Sequence, residues 1–193
     1  MAQVAISSGS IVRPYRSPWG AFPTKHMTPI STNAAIQIGR VVTLDYTANS
    51  TNVGQIKASS AVNHFHAVGI AGAAVAAGSS GVANSPIPVY EANPNVEFVG
   101  NLEGGVSASS LIGTRKALRF DSTLNIQVVD LANSSAGDAR IVITGMNGVN
   151  GVTGLQGELG DSGAQVTFRF ITNLAGVNGS TVVSSSPLLA FYS

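Results

Sequence analysis

The hexapeptide QVTFRF, residues 165–170, alternates with a period of two. Val166, Phe168 and Phe170 fall on one side of an extended chain, and Thr167 and Arg169 fall on the other. That pattern belongs to a strand with one apolar face turned to a core. Working outward, runs of the same character recur along the chain. They are AIQIGRVVTLDY (35–46), VGQIKAS (53–59), HFHAVGIA (64–71), IPVYEA (87–92) and VEFVG (96–100), then ALRF (117–120), LNIQVVD (124–130), ARIVITG (139–145) and LLAFY (188–192). Turn-forming clusters such as TANSTN (47–52) separate them. No segment carries a convincing helical period. GIAGAAVAAG (69–78) is richest in alanine, but its three glycines oppose a helix. The expected fold is therefore all-β, a sandwich or barrel of short antiparallel strands.

Two segments depart from this pattern. Residues 1–33 hold RPYRSPWGAFPTKHMTPIS (13–31), with prolines at 14, 18, 23 and 29 and aromatic residues between them. Proline removes backbone donors and favours extended chain. The segment reads as an N-terminal arm without regular structure of its own, ordered only against a partner, ahead of a β-rich domain spanning 34–193. No acid precedes Asp45, so the arm is basic. The second departure is the stretch 145–163, with glycine at every third position. Collagen needs that spacing, but none of the intervening pairs contains proline. An extended segment packed on neighbouring protein and an ordinary long loop are the other readings.

Composition narrows the function. The chain has 193 residues, enough for one domain with its own core. It has no cysteine, which excludes disulfides and thiolate chemistry. Only 10% of residues are charged, against roughly 25% in ordinary soluble domains. The net charge is +1. A neutral surface rich in hydroxyls and amides suits a protein packed against copies of itself or other partners. The most apolar run, 65–78, is too short to span a bilayer, and no signal peptide is evident at the N-terminus.

Three groups of residues could carry chemistry. Gly160-Asp161-Ser162-Gly163 matches the tetrapeptide around the nucleophile of chymotrypsin-like proteases. The histidine context NHFHAVG does not match that family, and the glycine period already explains Gly160 and Gly163, so Ser162 reads as a loop serine. His64 and His66 share one face of a strand and could ligate a metal, but no third ligand is near in sequence. Arg115, Lys116 and Arg119 form a basic cluster that could grip phosphates or an acidic protein surface. No nucleotide-binding or metalloprotease motif is present. No catalytic residue, cofactor, resident metal, nucleic-acid partner or membrane partner is expected.

The succession IGRVVTLDY, GQIKASSA, HAVGIAGAA, IPVYEA, VEFVGNLEG, LIGTRKALRFDST, IQVVDL and ARIVITG resembles the capsid decoration (cement) proteins of tailed bacteriophages over roughly residues 36–170. The resemblance implies a β-rich, often trimeric protein on the outer surface of the head. Such a protein binds between capsomers of the major capsid protein and stabilises the lattice. The longer basic arm and the glycine-triplet loop depart from the smallest members, and leave a trimeric tail or fibre module recognising a host surface as the alternative. On the cement reading, the arm residues Arg13, Tyr15, Arg16, Trp19, Phe22 and Lys25 would contact the capsid.

Overall fold

In the computed structural model, QVTFRF is a strand at the centre of a sheet. The structure describes residues 2–7, 10–30, 35–44, 55–59, 67–76, 85–132 and 141–171. Eleven strands appear there: β1 (Arg13–Arg16), β2 (Thr24–Met27), β3 (Val41–Leu44), β4 (Ile56–Ala58), β5 (Ala67–Ala71), β6 (Ile87–Glu91), β7 (Glu97–Glu103), β8 (Arg115–Asp121), β9 (Ile126–Asp130), β10 (Ile141–Met146) and β11 (Gln165–Phe170). A single 3₁₀ turn, Ser109–Leu111, is the one helical element among the described residues. The all-β expectation holds. TANSTN, His64, His66 and LLAFY lie outside the described residues.

The strands form two sheets, ordered β1-β7-β11-β10-β8-β9 and β2-β6-β5-β3-β4, with antiparallel neighbours within each order. Both rings close through short parallel seams. In the first, β1 covers one edge of β7 at Glu97–Val99, and β9 takes the same edge further on, at Leu102 and Glu103. In the second, the chain just beyond β2 reaches β4. There Ile30 N–H donates to Ile56 O at 2.9 Å, and Ile56 N–H donates to Thr28 O at 2.9 Å. Closure satisfies backbone groups that an open edge would leave to solvent or to another chain.

The principal core lies inside the first ring and extends to the face that the second sheet turns toward it. Phe98, Phe168 and Phe170 pack there with Leu102, Leu118, Val129 and Ile143, and Val41 and Ile70 of the second sheet join them. The Phe98 and Phe168 rings are stacked at 6.0 Å, while Phe170 meets Phe98 edge-on at 5.3 Å. Such pairs contribute about 0.5–1.5 kcal/mol beyond the area they bury. Gly100 makes room for this cluster, since a Cβ at that position would lie 3.1 Å from Val12 and 3.3 Å from Phe168. A second cluster of Ile36, Val42, Ile56, Ala71, Ile87 and Val89 fills the other ring.

One expectation about the departing segments is corrected. Residues 1–33 are not without regular structure, because β1 adds an edge to the first sheet and β2 to the second. Pro14 is tolerated because an edge strand has one side that need not donate, and the pairing register shifts between Pro14 and Arg16. Val12 and Ile30 of the same segment are buried in the domain. Residues 145–163 form a long loop, as one of the readings above has it, and not a collagen-like strand. From Gly148 to Gly163 the six glycines of the repeat have φ between 70° and 93°, the opposite sign from polyproline.

The repeat is a succession of turns. Val149 N–H donates to Met146 O at 2.9 Å, Val152 N–H to Val149 O at 3.1 Å, and Asp161 N–H to Glu158 O at 3.1 Å. The loop folds back over the outer face of β7, β10 and β11, where Val152 and Leu155 pack on Val99. This cover explains why Thr167, on the polar side of QVTFRF, is nevertheless fully buried. Its hydroxyl is within 3.0 Å of the Thr144 hydroxyl, so the buried polar group has a partner.

Candidate functional site

The chain crosses from the first sheet to the second through SPWGAFP, residues 17–23. Pro18 occupies the second position of a turn from Ser17 to Gly20, where its fixed φ is favoured. Gly20 N–H donates to Ser17 O at 3.3 Å, and Trp19 N–H donates to the Ser17 hydroxyl at 3.3 Å. Trp19 therefore stands at the tip of the crossing, 56% exposed, and is the most exposed large apolar side chain among the described residues.

The flanks of the tip are fastened to the domain. Before it, the Tyr15 hydroxyl donates to Thr153 O at 3.1 Å, which ties β1 to the glycine loop. Arg16 lies 5.6 Å from the centre of the Tyr15 ring and 3.8 Å from the Glu97 carboxylate. Glu97 is buried on β7 and also accepts from Arg169 at 3.1 Å. After the tip, half-buried Phe22 meets Tyr90 edge-on at 6.4 Å. Lys25 pairs with Glu91 at 3.1 Å. Of the six arm residues read as partner contacts, Tyr15, Arg16, Phe22 and Lys25 thus have partners within the chain. Arg13 and Trp19 face outward, and Arg13 pairs with no acid among the described residues.

Two further exposed apolar side chains lie on segments beside Ser162. Gly160 N–H donates to Ser107 O at 2.8 Å and to its hydroxyl at 3.0 Å, and the Ser107 hydroxyl donates to Glu158 O at 2.7 Å. These bonds join the Val106 and Leu159 segments, whose side chains are both exposed. Ser162 is held by its backbone. Val4 N–H donates to Ser162 O at 2.8 Å, and Ser162 N–H donates to Ala2 O at 3.2 Å. Asp161 accepts from Glu158 N–H at 3.0 Å and from Ala2 N–H at 2.8 Å. Those two bonds hold its carboxyl below the usual carboxylate range. The single described histidine, His26, lies exposed on β2 in the other sheet.

The basic cluster does not form a free patch. Lys116 Nζ donates to Leu131 O at 2.8 Å, and Arg119 pairs with Glu103 and, at 3.6 Å, with Asp130. Of the three, Arg115 is exposed and Lys116 and Arg119 are partly buried. Among the described residues, no three His, Cys, Asp or Glu side chains gather as metal ligands. None of the helical structure described is long and apolar enough to cross a membrane.

The Val106–Leu159 pair was not apparent in the sequence. Leu159 lies between Glu158 and Gly160 in a stretch whose glycine spacing draws the eye, and Val106 is far away along the chain. Comparison of the chain with protein-family models, curated proteins and solved structures finds no match.

Proposed function

We propose that this chain is a structural virion protein, which binds the outside of a tailed-phage head as a homotrimer and stabilises the lattice of the major capsid protein. It has no catalytic role on this reading. The observation that carries the proposal is the poverty of free charge combined with exposed apolar side chains on a rigid β platform. Only 10% of residues are charged, and several of those charges are spent on ion pairs within the chain. Trp19, Val106 and Leu159 remain at the surface. Exposed aromatic residues on a fixed scaffold are the usual anchors of protein interfaces.

Closed threefold symmetry lets one patch serve every subunit and matches the local threefold positions of a capsid lattice. Because Arg16 and Lys25 are paired within the chain, capsid contact falls first to Trp19 and Arg13. An exposed arginine pair contributes only about 0–1 kcal/mol, so the tryptophan is the main anchor. Repetition over linked copies supplies the rest.

The test compares particles made with and without the protein. Heads lacking it should assemble but break at lower temperature or on osmotic shock, and adding back purified protein should restore them. Equal robustness together with lost adsorption to cells would replace this reading with the tail or fibre one.

A further inference from the structure

Asn147-Gly148 and Asn150-Gly151 are successive Asn-Gly pairs in the triplet loop, and a third pair, Asn178-Gly179, lies outside the described residues. Glycine after asparagine leaves the next backbone nitrogen unshielded by a side chain, free to attack the asparagine carboxamide. The two described pairs sit in nearly the same local sequence, MNGV and VNGV. The neighbour before Asn150, Val149, is β-branched and stiffer than Met146 before Asn147, so local sequence does not favour Asn150. Any preference for it must come from the fold.

At the first pair both reacting groups are held. Gly148 N–H donates to Val152 O at 2.9 Å, and the Asn147 carboxamide donates to Glu158 Oε1 at 3.1 Å. The second pair forms the centre of a tight turn. Asn150 and Gly151 have φ of 54° and 70°, and Val152 N–H donates to Val149 O at 3.1 Å. This is the type I′ arrangement, in which Asn-Gly is the favoured pair. Both residues are exposed. The peptide joining them has neither its C=O nor its N–H in a hydrogen bond among the described residues. It can therefore rotate while the Val149–Val152 bond stays closed. Nothing lies within 4 Å of a Cβ placed on Gly151, so the surroundings leave room. Only the contact of Asn150 Nδ2 with Thr144 O, at 3.4 Å, restrains the carboxamide.

We propose that Asn150 is a site of spontaneous deamidation, a slow charge switch in the triplet loop, while the hydrogen bonds at Asn147 protect that residue. The Gly151 nitrogen gives up its proton and forms a bond to Asn150 Cγ. The Cγ–Nδ2 bond breaks, and ammonia leaves with that proton, so that a cyclic imide remains. Water then opens the imide. Addition at Cγ gives aspartate on the original main chain. Addition at the Asn150 main-chain carbonyl gives isoaspartate, whose main chain runs through Cβ and Cγ. Either product adds one carboxylate, which cancels the chain's net charge of +1. Aspartate tolerates the positive φ of the turn. Isoaspartate lengthens the main chain inside the turn and opens the Val149–Val152 bond.

The test holds the full chain at mildly alkaline pH, folded and in urea side by side, with peptide mapping by mass spectrometry over time. In the folded chain Asn150 should convert ahead of Asn147 by about tenfold or more, since two hydrogen bonds must break at Asn147 against one long one at Asn150. In urea the two rates should converge. The isoaspartate product, separated from the aspartate one, should lose amide-exchange protection at Val152. Asn147 converting as fast as Asn150 in the folded chain would overturn the proposal. So would an Asn150 that stays intact while the urea-unfolded chain converts. A preference of the same size in urea would also sink it, because the fold would then not be the cause.

Discussion

Replacing Gly163 and Gly151 with alanine, one at a time, separates two roles that glycine plays in the triplet loop. Both have positive φ, 72° and 70°. An L-residue in that region costs roughly 1–2 kcal/mol. At Gly151 nothing lies near the added Cβ, so that cost is the whole effect. At Gly163 the Cβ would stand 2.3 Å from Val4 O and 3.2 Å from Ile6 Cγ1. Backbone must move on the order of 1 Å to reach ordinary contact, and the Val4 N–H bond to Ser162 O would be lost with it. One net hydrogen bond contributes about 1 kcal/mol. Gly163→Ala should therefore lose about 2–4 kcal/mol against about 1–2 for Gly151→Ala. Urea unfolding at constant m-value measures both. Gly151→Asn should recover most of its loss, because asparagine tolerates this conformation and Asn150 already adopts it with φ of 54°. Amide exchange at Val4 should speed up only in Gly163→Ala. Equal losses at the two positions, with Val4 protection unchanged, would refute the packing of the N-terminal stretch on the loop.

Three further outcomes are expected. Deleting residues 2–30 should prevent folding and not merely trim an arm, because it removes β1, β2, Val12 and Ile30; a cooperative thermal transition in the truncated chain would contradict this. Trp19→Ala should change the unfolding free energy by no more than about 0.5 kcal/mol, as is usual for exposed positions, yet sharply reduce binding to purified heads in co-sedimentation. Asp161, with its carboxyl held low, contributes stability that is full above the ordinary carboxylate value and is lost as pH falls through its lowered one. Exchange protection at Ala2 and Glu158 should accordingly fall in strong acid, and Asp161→Ala should show little of it at any pH.

How far sequence reasoning reached depended on whether the relevant partner was local. QVTFRF, LNIQVVD and IPVYEA declare themselves because β-branched and aromatic residues suit a pleated, half-buried surface wherever it lies. RPYR and TKHM carry no such pattern, and they are strands only because β7 and β6 offer them an edge. The glycine period does not decide by itself, because glycine adopts either sign of φ with equal ease, so polyproline and a chain of turns share one spacing. The missing prolines were the available hint. At the tip, Trp19 was legible as an aromatic residue among prolines. The engagement of Arg16 and Lys25 was not, since Glu97 and Glu91 lie far along the chain. The packing of Arg40 on Phe120 was hidden for the same reason: the two residues meet only once the two sheets pack together.

The docking of residues 2–4 onto Asp161 and Ser162 has a consequence for the order of events during synthesis. Ala2 and Asp161 are 159 positions apart, and β1 must wait for β7 before it has anything to pair with. Residues 2–4 are thus made long before the segment that holds them. Closing so long a loop loses entropy before any contact rewards it. Topologies dominated by distant pairings fold in milliseconds to seconds, where helical bundles need microseconds to milliseconds. The edges of the early strands therefore stay uncovered until β7 to β11 have emerged, the interval in which nascent copies in high-level expression are most exposed to mispairing with one another.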